Sequence, residues 1–254
     1  MIPKIIHYCW FGGKELPELS KKCLESWQKY CPDFEIKRWD ESNTDLHENA
    51  YIEEAYNEKK WAFVTDYIRL KILYENGGIY VDTDLEILKP IDCFLQNRGF
   101  TGFESDDSLL TGMLGSEKEL PVYKELLSYY DNRHFIRDDG TYDITTNVTT
   151  VTNFFLQNGL ILNNKKQTIK DICIYPNDYF SPKDYNTGRL VLTDNSYTIH
   201  HFDGSWLTEE DKMAENLRKK LIRFLPVDFS YKLAYVIVSL KNKDLKSLFR
   251  KIKK

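Results

Sequence analysis

The stretch from Trp61 to Asn76 constrains this chain more than any other. Ala62, Phe63, Ile68, Leu70, Ile72 and Leu73 spread around much of a helical circumference, so the spacing predicts a helix buried on most sides. Asn76-Gly77-Gly78 follows, and residues that take positive φ readily end such a helix. Ile79 to Leu88 then reads as an apolar strand running into an acidic turn, closed by Pro90. A buried helix joined by two glycines to an apolar strand belongs to an α/β sheet, and it sets the class for the rest of the chain.

The flanking sequence agrees. Ile5 to Phe11 is an apolar run ending at Gly12-Gly13, a buried strand and its loop. Leu19, Cys23, Trp27 and Tyr30 recur at helical spacing, and Pro32 stops them. Phe34 to Trp39 alternates as a second strand. Gly99–Phe103, Leu109–Leu114, Ile172–Tyr175 and Tyr197–Phe202 read as later strands, with a helix starting near Pro121 and a Thr-rich segment from Thr145 to Asn158. Beyond Leu207 the pattern is helical throughout. Strands alternating with helices predict a sheet covered on both faces.

The chemistry gathers at Asp82-Thr83-Asp84. Two carboxylates spaced two apart on a strand point the same way and can share one ligand. They stand where an apolar strand ends, the end at which open α/β sheets bind ligands. Hard oxygen donors suit Mg²⁺ or Mn²⁺, with diphosphate oxygens completing the shell. The alternative is a solvated acidic turn. Asp66 and Arg69 lie three apart on the preceding helix, hence on one face. They form either an ordinary ion pair or, in a helix this apolar, a buried pair that needs partners or a ligand.

Together these pieces resemble a known family. Ala62-x-x-Thr65-Asp66-x-x-Arg69, then Gly77-Gly78-x-Tyr80-x-Asp82-x-Asp84 and Pro90, is similar to the signature of DXD-containing sugar transferases, glycosyltransferase family 32. That family includes bacterial capsular polysaccharide enzymes and yeast α-1,6-mannosyltransferases, and large clostridial glucosylating toxins share its core. The opening Ile2-Pro-Lys-Ile-Ile-His7-x-x-Trp10-Phe11-Gly12, the strand end Trp39-Asp40 and the late His200-His201-Phe-Asp-Gly-Ser-Trp206 extend the likeness.

The resemblance implies a GT-A fold: a Rossmann-like nucleotide-binding sheet, helices on both faces, followed here by C-terminal helices. It implies a retaining, metal-dependent transferase that moves a hexose from a nucleotide sugar to a surface glycan in bacterial capsule, lipopolysaccharide or exopolysaccharide synthesis. Trp10 is then either the surface that stacks on uracil or a core tryptophan. His7 lies near the nucleotide pocket, Thr65, Asp66 and Arg69 face the donor sugar, and Tyr80 lines the ribose. Asp82 contacts ribose and metal, and Asp84 is the closer metal ligand. Of the two histidines only one can face the site from a strand, and His201-Phe-x-Gly favours His201 as the third metal ligand over His200. Ser205 and Trp206 cover the diphosphate. Acceptor contacts fall to Glu104, Asp106, Asp107, Thr146 and Asn147. UDP is favoured over GDP by the surroundings of Trp10.

Charge divides the chain. Residues 212–254 hold thirteen basic and three acidic side chains, whereas the chain as a whole has a net charge of −4. A globally basic nucleic-acid binder is excluded, and an acidic catalytic body, residues 1–211, carries a basic helical extension, residues 212–254. Apolar residues Phe229, Leu233, Val236, Ile237 and Leu240 recur among the cations, a pattern of helices lying on an anionic membrane, or of helices packed on the body. Five cysteines without a CxxC spacing fit a reducing compartment. No apolar run is long enough to span a membrane. The expected site is cytoplasmic, peripheral on the inner membrane face, with a lipid-linked glycan as acceptor. Two rivals use the same residues: a metal-dependent phosphohydrolase and a non-catalytic sugar-nucleotide or membrane-binding module.

Overall fold

A computed structural model describes residues 1–204 and 209–241. These residues contain, in chain order, β1 (Ile5–Cys9), α1 (Glu18–Tyr30), β2 (Glu35–Trp39), α2 (Ala50–Asn57), α3 (Trp61–Asn76), β3 (Gly78–Val81), β4 (Leu85–Ile87), β5 (Gly99–Ser105), β6 (Ser108–Leu109), β7 (Met113–Ser116), α4 (Pro121–Ser128), α5 (Asn147–Gln157), β8 (Gln167–Ile169), β9 (Ile172–Tyr175), α6 (Asn177–Phe180), β10 (Thr198–His200), α7 (Glu209–Leu221) and α8 (Val227–Lys241). Two compact units are present. One comprises Met1–Pro182 and Val191–His201; the other contains Lys183–Leu190 and the described residues from Phe202 onward. The charge boundary at 211/212 falls inside α7.

The first unit is built on a sheet of order β2-β1-β3-β7-β5-β9-β8, with β6 on β5. β1 runs parallel to β2 and β3, β7 enters antiparallel between β3 and β5, and β9 is parallel to β5. The α/β class read from the sequence is therefore present, as a mixed sheet. Alternation along the strands sends side chains to two cores. Ile79, Val81 and Cys173 pack on the face with Trp27 of α1 and Phe180 of α6. Tyr80 and Ile174 pack on the other, with Tyr51 of α2, Ile68 and Leu70 of α3, Tyr123 of α4 and Val151 of α5. Helices thus cover both faces. The Trp27 indole donates to the Leu85 carbonyl at 2.7 Å and ties α1 to β4.

α3 occupies the range its pattern predicted and is enclosed as expected. Val64, Ile68, Leu70, Ile72 and Leu73 are buried, and so are Asp66 and Arg69. Gly77 and Gly78 end it at φ of 68° and 94°. At Gly78 even the left-handed turn is secondary to space: a Cβ there would lie 2.8 Å from the His7 ring and from the Ile5 carbonyl. That close approach brings β3 against β1.

Two local expectations change. Leu109–Leu114 is not one strand: it splits into β6 and β7, and the link between them turns its carbonyls toward α3 and β3. Asp82, Thr83 and Asp84 lie in the turn after β3 rather than on the strand. The turn closes through the Leu85 amide on the Asp82 carbonyl at 3.0 Å. The carboxylates converge because of that turn, not because of strand pleating.

Candidate active site

The site is assembled at the carboxyl end of β3. Arg69 reaches across from α3 with its side chain 7% exposed. Its guanidinium lies 3.3 Å from Asp66 and 3.3 Å from Asp82. It also donates to the Thr111 carbonyl at 2.8 Å and, through Nε, to the Thr65 carbonyl at 3.3 Å, and covers the Tyr80 ring at 4.7 Å. A buried cation needs such a set of partners to offset its lost hydration.

Asp66 is held from its other side by α5. The Asn147 backbone amide, in the first turn of that helix, donates to Asp66 Oδ2 at 2.9 Å, and the Asn147 side-chain amide donates to the Asp66 carbonyl at 2.8 Å. Thr146, instead of facing an acceptor, caps α5 by accepting from the Thr149 amide. Burial pushes the Asp66 carboxyl up to about 6 even though Arg69 and the Asn147 amide pull it down.

Tyr80 is 1% exposed, so the ribose contact expected of it is corrected: it reaches the site only through its hydroxyl, which donates to Asp82 Oδ1 at 2.7 Å. The Asp82 amide in turn donates to the Gly112 carbonyl at 2.8 Å. A Cβ at Gly112 would lie 2.8 Å from Asp82 Oδ2, so only glycine leaves this carboxylate its position. Thr111 and Gly112 were missed in the sequence. Their part is played by carbonyls and by an absent side chain, which leave no motif.

The third donor is His200, and here the expectation of His201 is corrected. Ligand atoms of Asp82, Asp84 and His200 all lie within 4.8 Å of one another. Antiparallel pairing sets His200 opposite Leu85, beside the turn, with Nε2 3.4 Å from Asp84. His201 follows one residue later; its amide donates to the Asp84 carbonyl, and its ring turns away to Glu86 at 2.9 Å. One histidine does face the site and the other does not, as strand alternation demands, but the register is shifted by one. Burial would depress the His200 imidazole, yet Asp84 and Glu104 outweigh it and carry the group up to about 10. Two carboxylates and an imidazole so close suit a divalent cation with oxygen and nitrogen preference, and Mn²⁺ or Mg²⁺ fits this donor set.

Other expected contacts lie elsewhere. His7 is fully buried; its Nε2 bonds to the Gly77 carbonyl at 2.9 Å and its Nδ1 accepts from the Trp39 indole at 3.1 Å. With both nitrogens engaged it cannot touch a nucleotide, and burial lowers it to about 4. It is a neutral strut between β1, β2 and the end of α3. The Thr65 hydroxyl donates to the Trp61 carbonyl one turn back. Trp10, half-buried at the end of β1, packs on the α1 core and donates its indole N–H to the Lys14 carbonyl at 2.6 Å. Asp106 and Asp107 sit in the turn between β5 and β6, where Asp107 accepts from Ser105 at 2.6 Å. Ser205 and Trp206 lie outside the described residues.

Residues 17–101, which include α3, the glycine pair and the acidic turn, match the family model described as "glycosyltransferase sugar-binding region containing DXD motif". Over those residues the chain is similar to DXD-type glycosyltransferases. A glycosyltransferase of Acanthamoeba polyphaga mimivirus, named as uncharacterized glycosyltransferase L373, is 28% identical over 218 residues, 81% of this chain and 84% of its own length. Inositol phosphoceramide mannosyltransferase 3 of Schizosaccharomyces pombe is 30% identical over 150 residues; the match covers 53% of this chain and 40% of that protein. Among solved structures, the galactosyltransferase LgtC with donor and acceptor sugar analogs superposes over 91% of this chain and 95% of its own, at 12% identity and a TM-score of 0.46. Within the matched residues, the motif carboxylates Asp82 and Asp84 are the ones that converge on His200.

Proposed function

We propose that this glycosyltransferase moves a hexose from a nucleotide sugar, UDP-linked in preference to GDP-linked, to a glycan acceptor with retention of configuration, on a GT-A scaffold. The observation that carries the reading is the convergence of Asp82, Asp84 and His200 at the turn after β3, wired through Arg69 to Asp66. These three residues would hold Mn²⁺ or Mg²⁺. When bound, such an ion offsets the charge that develops on the departing nucleoside diphosphate.

The chain's own residues do the rest. Arg69 and Asp66 offer a donor sugar a fixed guanidinium and a carboxylate for its hydroxyls. Tyr80 holds Asp82 by one oxygen. Trp10 offers an indole face to the base. On the retaining route, the acceptor hydroxyl oxygen bonds to the anomeric carbon as the bond from that carbon to the diphosphate oxygen breaks, on the same face. The hydroxyl proton passes to the departing diphosphate oxygen, so no protein base is required. A phosphohydrolase of the two-metal kind would need a second set of ligands, and among the described residues this is the one cluster of metal-binding type.

A panel of UDP- and GDP-sugars, assayed for Mn²⁺-dependent donor hydrolysis without acceptor, tests the reading. One donor should be turned over slowly, and Asp84→Asn should abolish that turnover in a folded protein. Full activity of Asp84→Asn, or of the native protein in strong chelator, would overturn the metal assignment.

The same proposal extends to an anionic membrane as the place where a lipid-linked, bacterial surface-glycan acceptor is met, on the cytoplasmic side. α8 supports it by the apolar residues it leaves exposed. Ser230, Ala234, Tyr235, Val238 and Ser239 are its buried residues, while Phe229, Ile237 and Leu240 face outward, as does Phe224 before it. Lys220, Arg223, Lys232 and Lys241 are exposed around them. Among the described residues no helix is long and apolar enough to cross a membrane, whereas an outward apolar stripe flanked by cations suits lying on one.

A further inference from the structure

Glu104, which the sequence offers only as one polar residue among several near the acceptor, stands behind His200. Its Oε1 is 3.6 Å from His200 Nδ1, while Nε2 on the opposite side of the ring is 3.4 Å from Asp84. Both side chains are largely enclosed, 11% and 17% exposed. Glu104 is placed there by a defect in pairing. Along β5, Phe103 pairs with Leu109 and Ser105 with Ser108, so two steps on β5 answer one on β6 and Glu104 is the extra residue of a β-bulge. Bulges recur beside active sites because they re-aim one side chain without disturbing the remainder of the sheet. The bulge spends the pairing of one residue, and what it gains is a carboxylate aimed at the back of an imidazole.

An imidazole that offers one nitrogen to a metal must carry its proton on the other, and an outer carboxylate that accepts that proton's hydrogen bond fixes both tautomer and ring orientation. Resting on the metal reading above, we propose that Glu104 is the positioning residue of the site: it accepts from His200 Nδ1–H, so that the Nε2 lone pair faces the position shared with Asp82 and Asp84. At 3.6 Å the two atoms are just beyond hydrogen-bond range, so the carboxylate must come a few tenths of an ångström closer when the site is loaded. Glu104 is not itself a member of the cluster whose ligand atoms lie within 4.8 Å, which comprises Asp82, Asp84 and His200. It acts on the ion through the ring.

Mn²⁺ titrated calorimetrically into the full chain, with and without UDP, tests this apart from catalysis. Glu104→Ala should weaken Mn²⁺ binding by about 10–100-fold, the usual cost of removing an outer-shell partner. Glu104→Gln, which keeps an acceptor oxygen, should lose less, and circular dichroism of that variant checks folding. In a His200→Ala background, Glu104→Ala should cost nothing further, because the ring through which it acts is gone. Equal losses with and without His200 would mean that Glu104 meets the ion directly and would overturn the proposal. Mn²⁺ binding untouched by Glu104→Ala would also overturn it, while leaving the metal reading in place. No Mn²⁺ binding by the unmodified protein would remove the metal reading itself, and this inference with it.

Discussion

Replacing Asp66 by asparagine should harden the fold while disabling the site. Asp66 is carried from 3.8 to about 6, first by burial and against the pull of Arg69 and the Asn147 amide. A shift of two units corresponds to about 3 kcal/mol by which ionisation of Asp66 costs the native state at pH 7. The sign follows from proton binding. The native chain holds this proton more tightly than the unfolded chain, so stability is greatest below about pH 4, falls as pH rises to about 6, and stays level above. His7 runs the other way. Its folded value is lowered from 6.5 to about 4, so its stability is present above 6.5 and is lost as pH falls toward 4. The two legs oppose each other with similar size, and the native chain should show little slope from this pair between pH 4 and 6.

Asp66→Asn deletes one leg. Its side-chain oxygen can still accept from the Asn147 amide, so local structure is kept. Urea unfolding of both proteins in chelator, at half-unit steps from pH 4 to 7, gives the difference curve directly. The variant should match the native chain near pH 4 and exceed it by about 3 kcal/mol at pH 7, with donor turnover lost. A difference that does not change with pH, or a variant less stable at pH 7, would refute the assignment of a strained, buried carboxylate.

Gly112→Ala should set a methyl 2.8 Å from the Asp82 carboxylate and displace it, lowering turnover on the order of 10²-fold with an unchanged unfolding midpoint; normal kinetics would show that the carboxylate has room to move. Trp10→Ala should weaken UDP binding by about 1–3 kcal/mol in calorimetry, and an unchanged affinity would return Trp10 to the α1 core. The full-length protein should co-sediment with anionic vesicles at low salt, each cation near the surface adding about 1 kcal/mol. Changing Phe229, Ile237 and Leu240 together to glutamate should release it without loss of helix, and pelleting that survives those changes would exclude α8 as the contact.

Legibility in the sequence followed the physical source of each feature. α3 could be read to the residue because burial on all sides leaves an apolar pattern and glycines mark its end. α2 went unread: it is short, and its anchor is the Asn49 cap on the Ile52 amide rather than a long stripe. The carboxylate pair was legible, but the turn that aims it was not, because Asp-Thr-Asp suits a strand end and a turn alike. His200 and His201 are adjacent, and which one faces inward is decided by the pairing of β10 with β4, a contact between segments more than a hundred residues apart. Thr111, Gly112 and the bulge at Glu104 act through backbone, and the composition of a segment carries no trace of where its carbonyls point.

Arg69 deserves a different accounting from an ordinary active-site residue. Its guanidinium joins α3, the turn after β3 and the link between β6 and β7, through Asp66, Asp82 and the Thr111 carbonyl. Removing it strands the buried Asp66 carboxylate and takes one partner from the half-buried Asp82, and stranding a buried charge typically costs about 3–5 kcal/mol. In a mutational scan, substitutions at Arg69 should therefore lower protein abundance as well as activity, and a scan that reads only product would assign the whole loss to chemistry. Scoring abundance in parallel would separate this position from Asp84, where abundance should stay high while product disappears.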